Sequence, residues 1–276
     1  MRFFGSSNIK NFVAAHLRGR TDVRGCTAVD IPAGAGQASA LLRELGARVE
    51  PYDLFPEFFQ VQGLECRGAD LTKPLPIPDA HAELVLCQEG IEHLPDQLAA
   101  LRELNRILKP GGTLLLTTPS VSHLRAKLSH FLVESELYNR LPPNEIDSIW
   151  FAGPQPEPLY FGHIFLVGVQ RLRVLARLAG LRLERVHAVK ASGSSLLLGL
   201  FWPLVALANL YAYAASVRRH RHLDRAWVRS VYGEVLRLNL NPNILFGKHL
   251  FIEFRKEATP AEAVARFHQN HKVPQL

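Results

Sequence analysis

Val29-Asp30-Ile31-Pro32-Ala33-Gly34-Ala35-Gly36 is the stretch on which the reading of this chain turns. The apolar run from Cys26 to Ile31 reads as a buried strand, and the glycines that follow read as a tight turn. Gln37 to Leu45 then reads as a helix closed by Gly46. Strand, glycine turn and helix in that order open a doubly wound α/β fold, in which Gly34 and Gly36 let the backbone pass close to a ligand.

Working outward, the same alternation continues. An N-terminal helix is predicted over residues 8 to 18, with Ser7 as its cap. Strands are predicted at Ala47 to Tyr52, Leu64 to Ala69, Glu83 to Gln88 and Thr113 to Thr118. Between the last two, Asp96 to Leu108 has the apolar period of an amphipathic helix, stopped by Lys109-Pro110-Gly111-Gly112. A helix over Val169 to Ala179, a strand over Leu181 to Val189 and a last strand over Leu250 to Phe254 follow. This succession predicts one domain over 1–276 with a mostly parallel sheet covered by helices on both faces. Residues 136–162 are rich in proline and aromatic residues without a period, which suggests a lid or substrate loop.

Composition narrows the class. The 276 residues are 47% hydrophobic and 21% charged, too apolar and too weakly charged for a disordered chain. Cys26, Cys66 and Cys87 form no C-x-x-C pair, so no zinc site or disulfide framework is expected and a reducing cytoplasm fits. Arg18, Arg20 and Arg24 interrupt any secretory signal pattern. The net charge of +7 favours an anionic partner, but its only dense cluster, Arg218 to His222, follows a long apolar segment and lacks a nucleic-acid motif. No nucleic acid is expected.

The strand ends carry acids at useful places. A sulfonium cofactor bearing adenosine requires a glycine turn, a carboxylate for the ribose hydroxyls and a polar group for the adenine edge. Gly34 and Gly36, Asp53 and Asp70 supply them in that order. The plainer readings are a helix cap for Asp53, which directly precedes Leu54, and a turn residue for Asp70. If the acceptor is an alcohol or phenol, a base is needed. His93 and His163 are the candidates, with His123 as a third, although each is also readable as a packing or helix-start residue. Glu92 and Glu103 read as solvated surface charges.

Four motifs in order resemble the class I S-adenosylmethionine-dependent methyltransferase family, in its small-molecule and lipid branch, over about residues 25 to 190 plus the last strand. They are the glycine loop, Asp70-Leu71 with Leu75-Pro76-Ile77-Pro78-Asp79, Leu84 to Leu94, and Leu104-Asn105-Arg106-Ile107-Leu108-Lys109-Pro110-Gly111-Gly112. The resemblance implies a seven-stranded Rossmann-like sheet with a final antiparallel strand near 246 to 256, and S-adenosylmethionine as cofactor. It implies that the loop Asp30, Pro32, Ala33, Gly34, Ala35 and Gly36 borders the methionine part. Asp53 with Leu54 would meet the ribose, Asp70 with Leu71 the adenine, and Gln88 and Glu89 the cleft floor. No metal is expected. Pro32 stands where the family usually has glycine; it fixes φ and cannot donate a backbone hydrogen bond.

The expected reaction is methyl transfer to oxygen of a small hydrophobic, lipid-like or lipid-linked acceptor. The rivals are a non-catalytic relative kept as a membrane or assembly module, and an NAD-dependent oxidoreductase or epimerase. The second fits less well, because Gly34 to Ser39 lacks the third glycine of the dinucleotide fingerprint.

From Ala191 to Val217 there is no charged residue, within a helical insertion expected over 191–241. Its length would span a bilayer, with Pro203 bending the middle. If the strands on either side share one sheet, a single crossing is excluded. What remains is a re-entrant hairpin bent at Trp202-Pro203, a helix in the interface, or a buried helical pair roofing the site or joining two copies. The basic cluster makes an anionic membrane surface, contacted through 191–222, the expected partner, with the protein peripheral on the cytoplasmic face.

Overall fold

A computed structural model describes residues 7–151 and 159–271. Its elements are α1 (Ser7–Arg18), β1 (Thr27–Asp30), α2 (Gln37–Glu44), β2 (Arg48–Asp53), β3 (Arg67–Gly68) and β4 (Ala82–Gln88). They continue with α3 (Gln97–Ile107), β5 (Leu108–Pro119), α4 (Leu124–Val133), α5 (Glu145–Ser148), β6 (Ile149–Phe151) and β7 (Leu159–Phe161). The chain closes with α6 (Val169–Leu178), β8 (Leu181–Val186), α7 (Gly193–Leu198), α8 (Trp202–Arg219), α9 (Arg225–Asn239), α10 (Pro242–Phe246), β9 (His249–Lys256) and α11 (Pro260–Asn270).

The main sheet has the order β3-β2-β1-β4-β5-β9-β8. β1 pairs in parallel with both β2 and β4, and β9 runs antiparallel to both β5 and β8. The chain therefore leaves β1 toward one edge and returns on its other side at β4. This reversal opens a crevice at the carboxyl ends of β1 and β4, where such folds bind ligands.

Strand alternation divides the core between the two faces. On β5, Leu114 and Leu116 join the layer under α3 and α6, with Leu101, Leu104, Leu172 and Ala176. Leu115 between them joins the opposite layer, with Ile9, Val13 and Leu17 of α1 and Leu42 of α2. The four-residue spacing of Ile9, Val13 and Leu17 puts all three on one face of α1, which is why that helix lies on the sheet.

Three boundaries differ from expectation for physical reasons. The third strand shrinks to Arg67–Gly68, because only Tyr52 and Asp53 of β2 reach it. Lys109-Pro110-Gly111-Gly112 does not separate helix from strand. It forms an irregular stretch inside β5, where the partner of Leu108 is Ala82 and that of Thr113 is Leu84, with Gly111 at φ +73°. The predicted lid, in its described part, carries the hairpin β6–β7, which pairs Trp150 with Tyr160. Residues 152–158 of it lie outside the described residues.

The insertion is pinned at its base: Ala191 bridges Gly247, and Ser192 N–H donates to Phe246 O at 2.8 Å. With β8 and β9 adjacent in one sheet, its two ends lie together, so a single membrane crossing is excluded. Residues 193–219 are helical throughout, with a 3₁₀ turn at Gly199–Phe201 joining α7 to α8. The expected bend at Trp202-Pro203 is absent, because Pro203 falls in the first turn of α8, where a missing N–H has no helical partner to lose. The return is made instead after the Arg218–His222 cluster, by α9. The expected buried pair is not what forms: α8 has no buried residue, and Leu204 and Leu207 are each 66% exposed.

Candidate active site

The glycine loop is held from three sides. Ile31 N–H donates to Leu86 O of β4, Ala33 N–H donates to Tyr52 O of β2, and the Ile31–Pro32 peptide is cis. Both donors flank Pro32, so the missing N–H of that residue leaves the loop anchored. Gly34 and Gly36 have φ of +54° and +84°, the left-handed conformations for which glycine is suited. Gly34 is exposed with open space around it. Gly36 is closely covered, since a Cβ there would come within 2.5 Å of Phe59 and Val61.

Asp53, at the end of β2, reaches the turn directly. Its Oδ2 accepts from Gly34 N–H at 2.7 Å and its Oδ1 from Phe55 N–H at 2.8 Å. It caps no helix, since Phe55 is the N-cap residue of the 3₁₀ turn Pro56–Phe58 and no side chain caps it. A carboxylate has about four acceptor positions, so two backbone donors leave room for two hydroxyls. Asp30 sits lower than expected. It is fully buried, accepts from Ser39 Oγ at 2.6 Å, and burial pushes its carboxyl up to about 7. It supports the turn from beneath, and its other oxygen has no protein partner.

Asp70 accepts from the N–H and hydroxyl of Thr72 and pairs with Lys73 at 3.2 Å, as a turn residue does. Leu71 beside it is buried, and Leu54 is 40% exposed. Gln88 and Glu89 follow β4, half-buried, with Glu89 at φ +51°. One Glu89 oxygen is buried without a partner and the other lies 3.4 Å from His249.

The crevice continues to an aromatic and histidine cluster. His93 Nδ1 donates to Phe161 O at 2.8 Å, which leaves Nε2 free of that bond. Its ring lies 5.3 Å from that of His163 and 6.3 Å from that of Trp150. Desolvation, then the neighbouring His93, lowers the pKa of His163, keeping it neutral near pH 7. Gln97 closes the floor by donating to Ile91 O and Phe165 O. The Tyr160 ring lies tilted against that of Phe55, with centroids 5.0 Å apart, so the β6–β7 hairpin meets the loop that follows Asp53.

Glu92 is not the surface charge it was read to be. It is fully buried at the carboxyl end of β4, accepts from Thr118 Oγ1 at 3.0 Å, and burial followed by the charge of Glu89 raises its pKa. Its second oxygen has no partner. Glu103 is also half-buried, accepting from Leu75 N–H at 3.0 Å and pairing with Arg106 at 2.8 Å. A reading by residue type could not see either, because Thr118 for Glu92 and Leu75 for Glu103 lie on other elements. Glu92, His93 and His163 each offer a ligand atom, and these atoms lie within 4.8 Å of one another, a donor set able to hold a divalent cation. A second such group, His16, His187 and Glu253, lies against α1, where Arg20 already donates to Glu253 at 2.9 Å.

His123 is set apart from these histidines. It is 3% exposed and caps α4, its Nδ1 accepting from Ala126 N–H and meeting Ser195 Oγ at 3.1 Å. Burial pushes its pKa down to about 4. A side chain so enclosed, with its accepting nitrogen occupied, is a joint between α4 and α7 and not a base.

A cleft of about 290 Å³ lined by Glu83, Lys109, Gly111 and Arg255 opens at the amino end of β4, away from the glycine loop. No residue lining it belongs to the strand ends that carry the site.

The methyltransferase-domain family matches residues 29–116, from the first strand to the fifth. Over that span this chain is similar to the methyltransferase-domain family. The matched span holds the glycine loop, Asp53, Asp70, Glu89 and Glu92, but neither the lid nor the insertion. The ubiquinone biosynthesis O-methyltransferase of Xanthomonas oryzae pv. oryzae is 34% identical over 137 residues, 46% of this chain and 56% of that protein. The enzyme of the same description from Xanthomonas campestris pv. campestris is 32% identical over the same shares. The chain thus spans about half the length of these curated relatives. Among solved structures, the YcgJ protein of Bacillus subtilis aligns over 90% of this chain and 99% of its own, with a TM-score of 0.53 and 14% identity. That likeness is one of fold. The residues fit S-adenosylmethionine: an open glycine turn, a carboxylate with acceptor positions left, and buried oxygens of Asp30 and Glu89 without partners among the described residues.

Proposed function

We propose that the chain transfers the methyl group of S-adenosylmethionine to an oxygen of a small hydrophobic, lipid-like or lipid-linked acceptor. The observation that carries the reading is the Asp53 carboxylate gripping the Gly34 N–H at 2.7 Å, at a turn whose glycines take left-handed conformations. Bound there, the cofactor supplies a methyl group on a positively charged sulfur. The protein's work is to align the acceptor with that methyl, exclude water and take the hydroxyl proton. A histidine would take the acceptor's hydroxyl proton as its oxygen accepts that methyl group, with S-adenosylhomocysteine as the other product. His93 and His163 are the residues proposed for that proton, supported by their adjacency and by the neutral state of His163. The loop Asp30, Pro32, Ala33, Gly34, Ala35 and Gly36 is assigned to the methionine part, Asp53 with Leu54 to the ribose, Asp70 with Leu71 to the adenine, and Gln88 with Glu89 to the floor.

The O-methylation in ubiquinone biosynthesis for which the relatives are named supports oxygen as the acceptor atom and a lipid-like acceptor. The exposed apolar helix supports a peripheral place on the cytoplasmic face of an anionic membrane, contacted through 191–222. The test is calorimetric titration with S-adenosylhomocysteine, with NAD and NADH alongside, then labelled methyl transfer to membrane extracts. Binding of S-adenosylhomocysteine alone, followed by label in a lipid-soluble product, is the expected result. Folded protein that binds none of the three would overturn the reading in favour of a non-catalytic module.

A further inference from the structure

We infer that the turn between α8 and α9 is a binding site for the phosphate of an anionic phospholipid, placed to anchor the apolar face of α8 in the membrane surface. The inference deepens the membrane part of the proposed function and rests on it.

The first observation is the face itself. The most apolar 18-residue window within residues 193–219 has a mean hydropathy of 1.7, and only 11% of it is buried. Leu200, Leu204, Leu207 and Tyr211 are 79%, 66%, 66% and 78% exposed. Their spacing of four, three and four puts them on one side of the helix, and the same row ends at the exposed Arg218. The opposite side is occupied, since Asn239 of α9 donates to Asn209 at 2.7 Å and Tyr232 meets His220 at 2.9 Å. α9 is in turn tied to the domain by Glu234, paired with Arg173 at 3.1 Å. The apolar row therefore faces outward on a helix whose orientation is fixed.

The second observation is a cavity of about 170 Å³ at the end of that helix. It is lined by Val217, Arg218, His220, Arg221, Arg225, Val228 and Arg229. Among the described residues, the ion pairs of this region join Arg173 and Arg177 to Glu234 and leave Arg218, Arg221, Arg225 and Arg229 without an acidic partner. Asp224, the nearest acid in sequence, caps α9 by accepting from Trp227 N–H at 2.7 Å. Arginines lining one cavity suit a phosphate, which a guanidinium can grip through paired N–H donors.

The two observations together select the occupant. A purely apolar face would serve a second copy of the chain as well as a bilayer. Unpaired arginines at the helix end, level with its apolar row, match the arrangement of acyl chains beside phosphates. The base of the insertion, closed by the Ala191–Gly247 bridge, keeps α8 on the surface and not through it.

The test is co-sedimentation of the full chain with phosphatidylcholine vesicles, with and without phosphatidylglycerol. Binding is expected to require phosphatidylglycerol, to weaken roughly thirtyfold in the R225Q/R229Q double variant, at about 1 kcal/mol for each basic residue near the surface, and to weaken less in R225K/R229K. Leu204→Gln with Leu207→Gln is expected to reduce binding as well, and S-adenosylhomocysteine affinity is expected to be unchanged in all three. Vesicle binding that is indifferent to R225Q/R229Q would overturn the phosphate site alone. Failure of the unmodified chain to bind any vesicle would overturn both this site and the membrane reading. Saturation of the site by inorganic phosphate without vesicle binding, displacement of vesicles by an RNA duplex, or a stable dimer buried through α8 would each overturn the phospholipid assignment.

Discussion

The glycine turn at residues 31–36 and the insertion at 191–247 are both places where the chain departs from regular packing, but they do so in opposite ways. At the turn every unusual feature is answered from inside: positive φ by glycine, free N–H groups by Asp53 and by neighbouring carbonyls. On α8 the unusual feature, an exposed apolar row, is answered by nothing among the described residues. A turn whose own neighbours define it serves a ligand that must be held in one geometry. A face without neighbours serves a partner outside the molecule.

The largest expected effect would break the closed character of the turn. Gly36→Val puts a branched side chain at φ +84° within 2.5 Å of where Phe59 and Val61 lie. Strain and overpacking together should cost about 2–5 kcal/mol of stability in urea unfolding. A loss below ~1 kcal/mol would mean that the 55–61 segment gives way and that the turn is less closed than it looks.

Asp53→Ala sharpens the same side of the comparison by separating holding from binding. It should weaken S-adenosylhomocysteine by on the order of 1.5 to 3 kcal/mol, the range for hydrogen bonds to a charged group, measured by titration calorimetry. Unchanged affinity in folded protein would leave the carboxylate as a brace for Gly34 and Phe55 only.

His123 joins the two regions, since it caps α4 and meets Ser195 of α7. Its pKa in the fold, about 4, lies below the unfolded value of 6.5, so the unfolded chain binds the proton more readily. The stability this group contributes is present above pH 6.5 and lost as pH falls toward 4, by about 3 kcal/mol. Thermal melts of His123→Gln across that window should show a shallower loss than the unmodified chain. Parallel curves would remove His123 from the acid response.

The smallest effect tests the open side. Leu207→Gln should change stability by less than about 0.5 kcal/mol, because the side chain projects away from the domain. A loss above ~2 kcal/mol, the range for a buried leucine, would show that the face is covered in solution.

Much of the fold was legible because it rests on local pattern. The period of α3, the apolar run of β1 and the glycines after it depend on residues near one another in the chain, and so did the prediction of Asp53 at a strand end. The parts that went wrong depend on distant partners. Glu92 reads as a polar residue in a motif until Thr118 and the surrounding strands enclose it. His123 reads as a third base until Ser195 is beside it. The bend foreseen at Pro203 failed because whether a proline breaks a helix depends on where that helix begins.

By itself the sequence determined the order of strands and helices, the glycine turn and the carboxylates that follow it, since hydrophobic period and the backbone freedom of glycine act over a few residues. Only the tertiary structure decided which acids are buried, which histidines meet, and that the apolar insertion leaves and returns on the same side of one sheet. Burial and charge environment are set by elements far away in the chain, and strand adjacency is a property of the whole sheet.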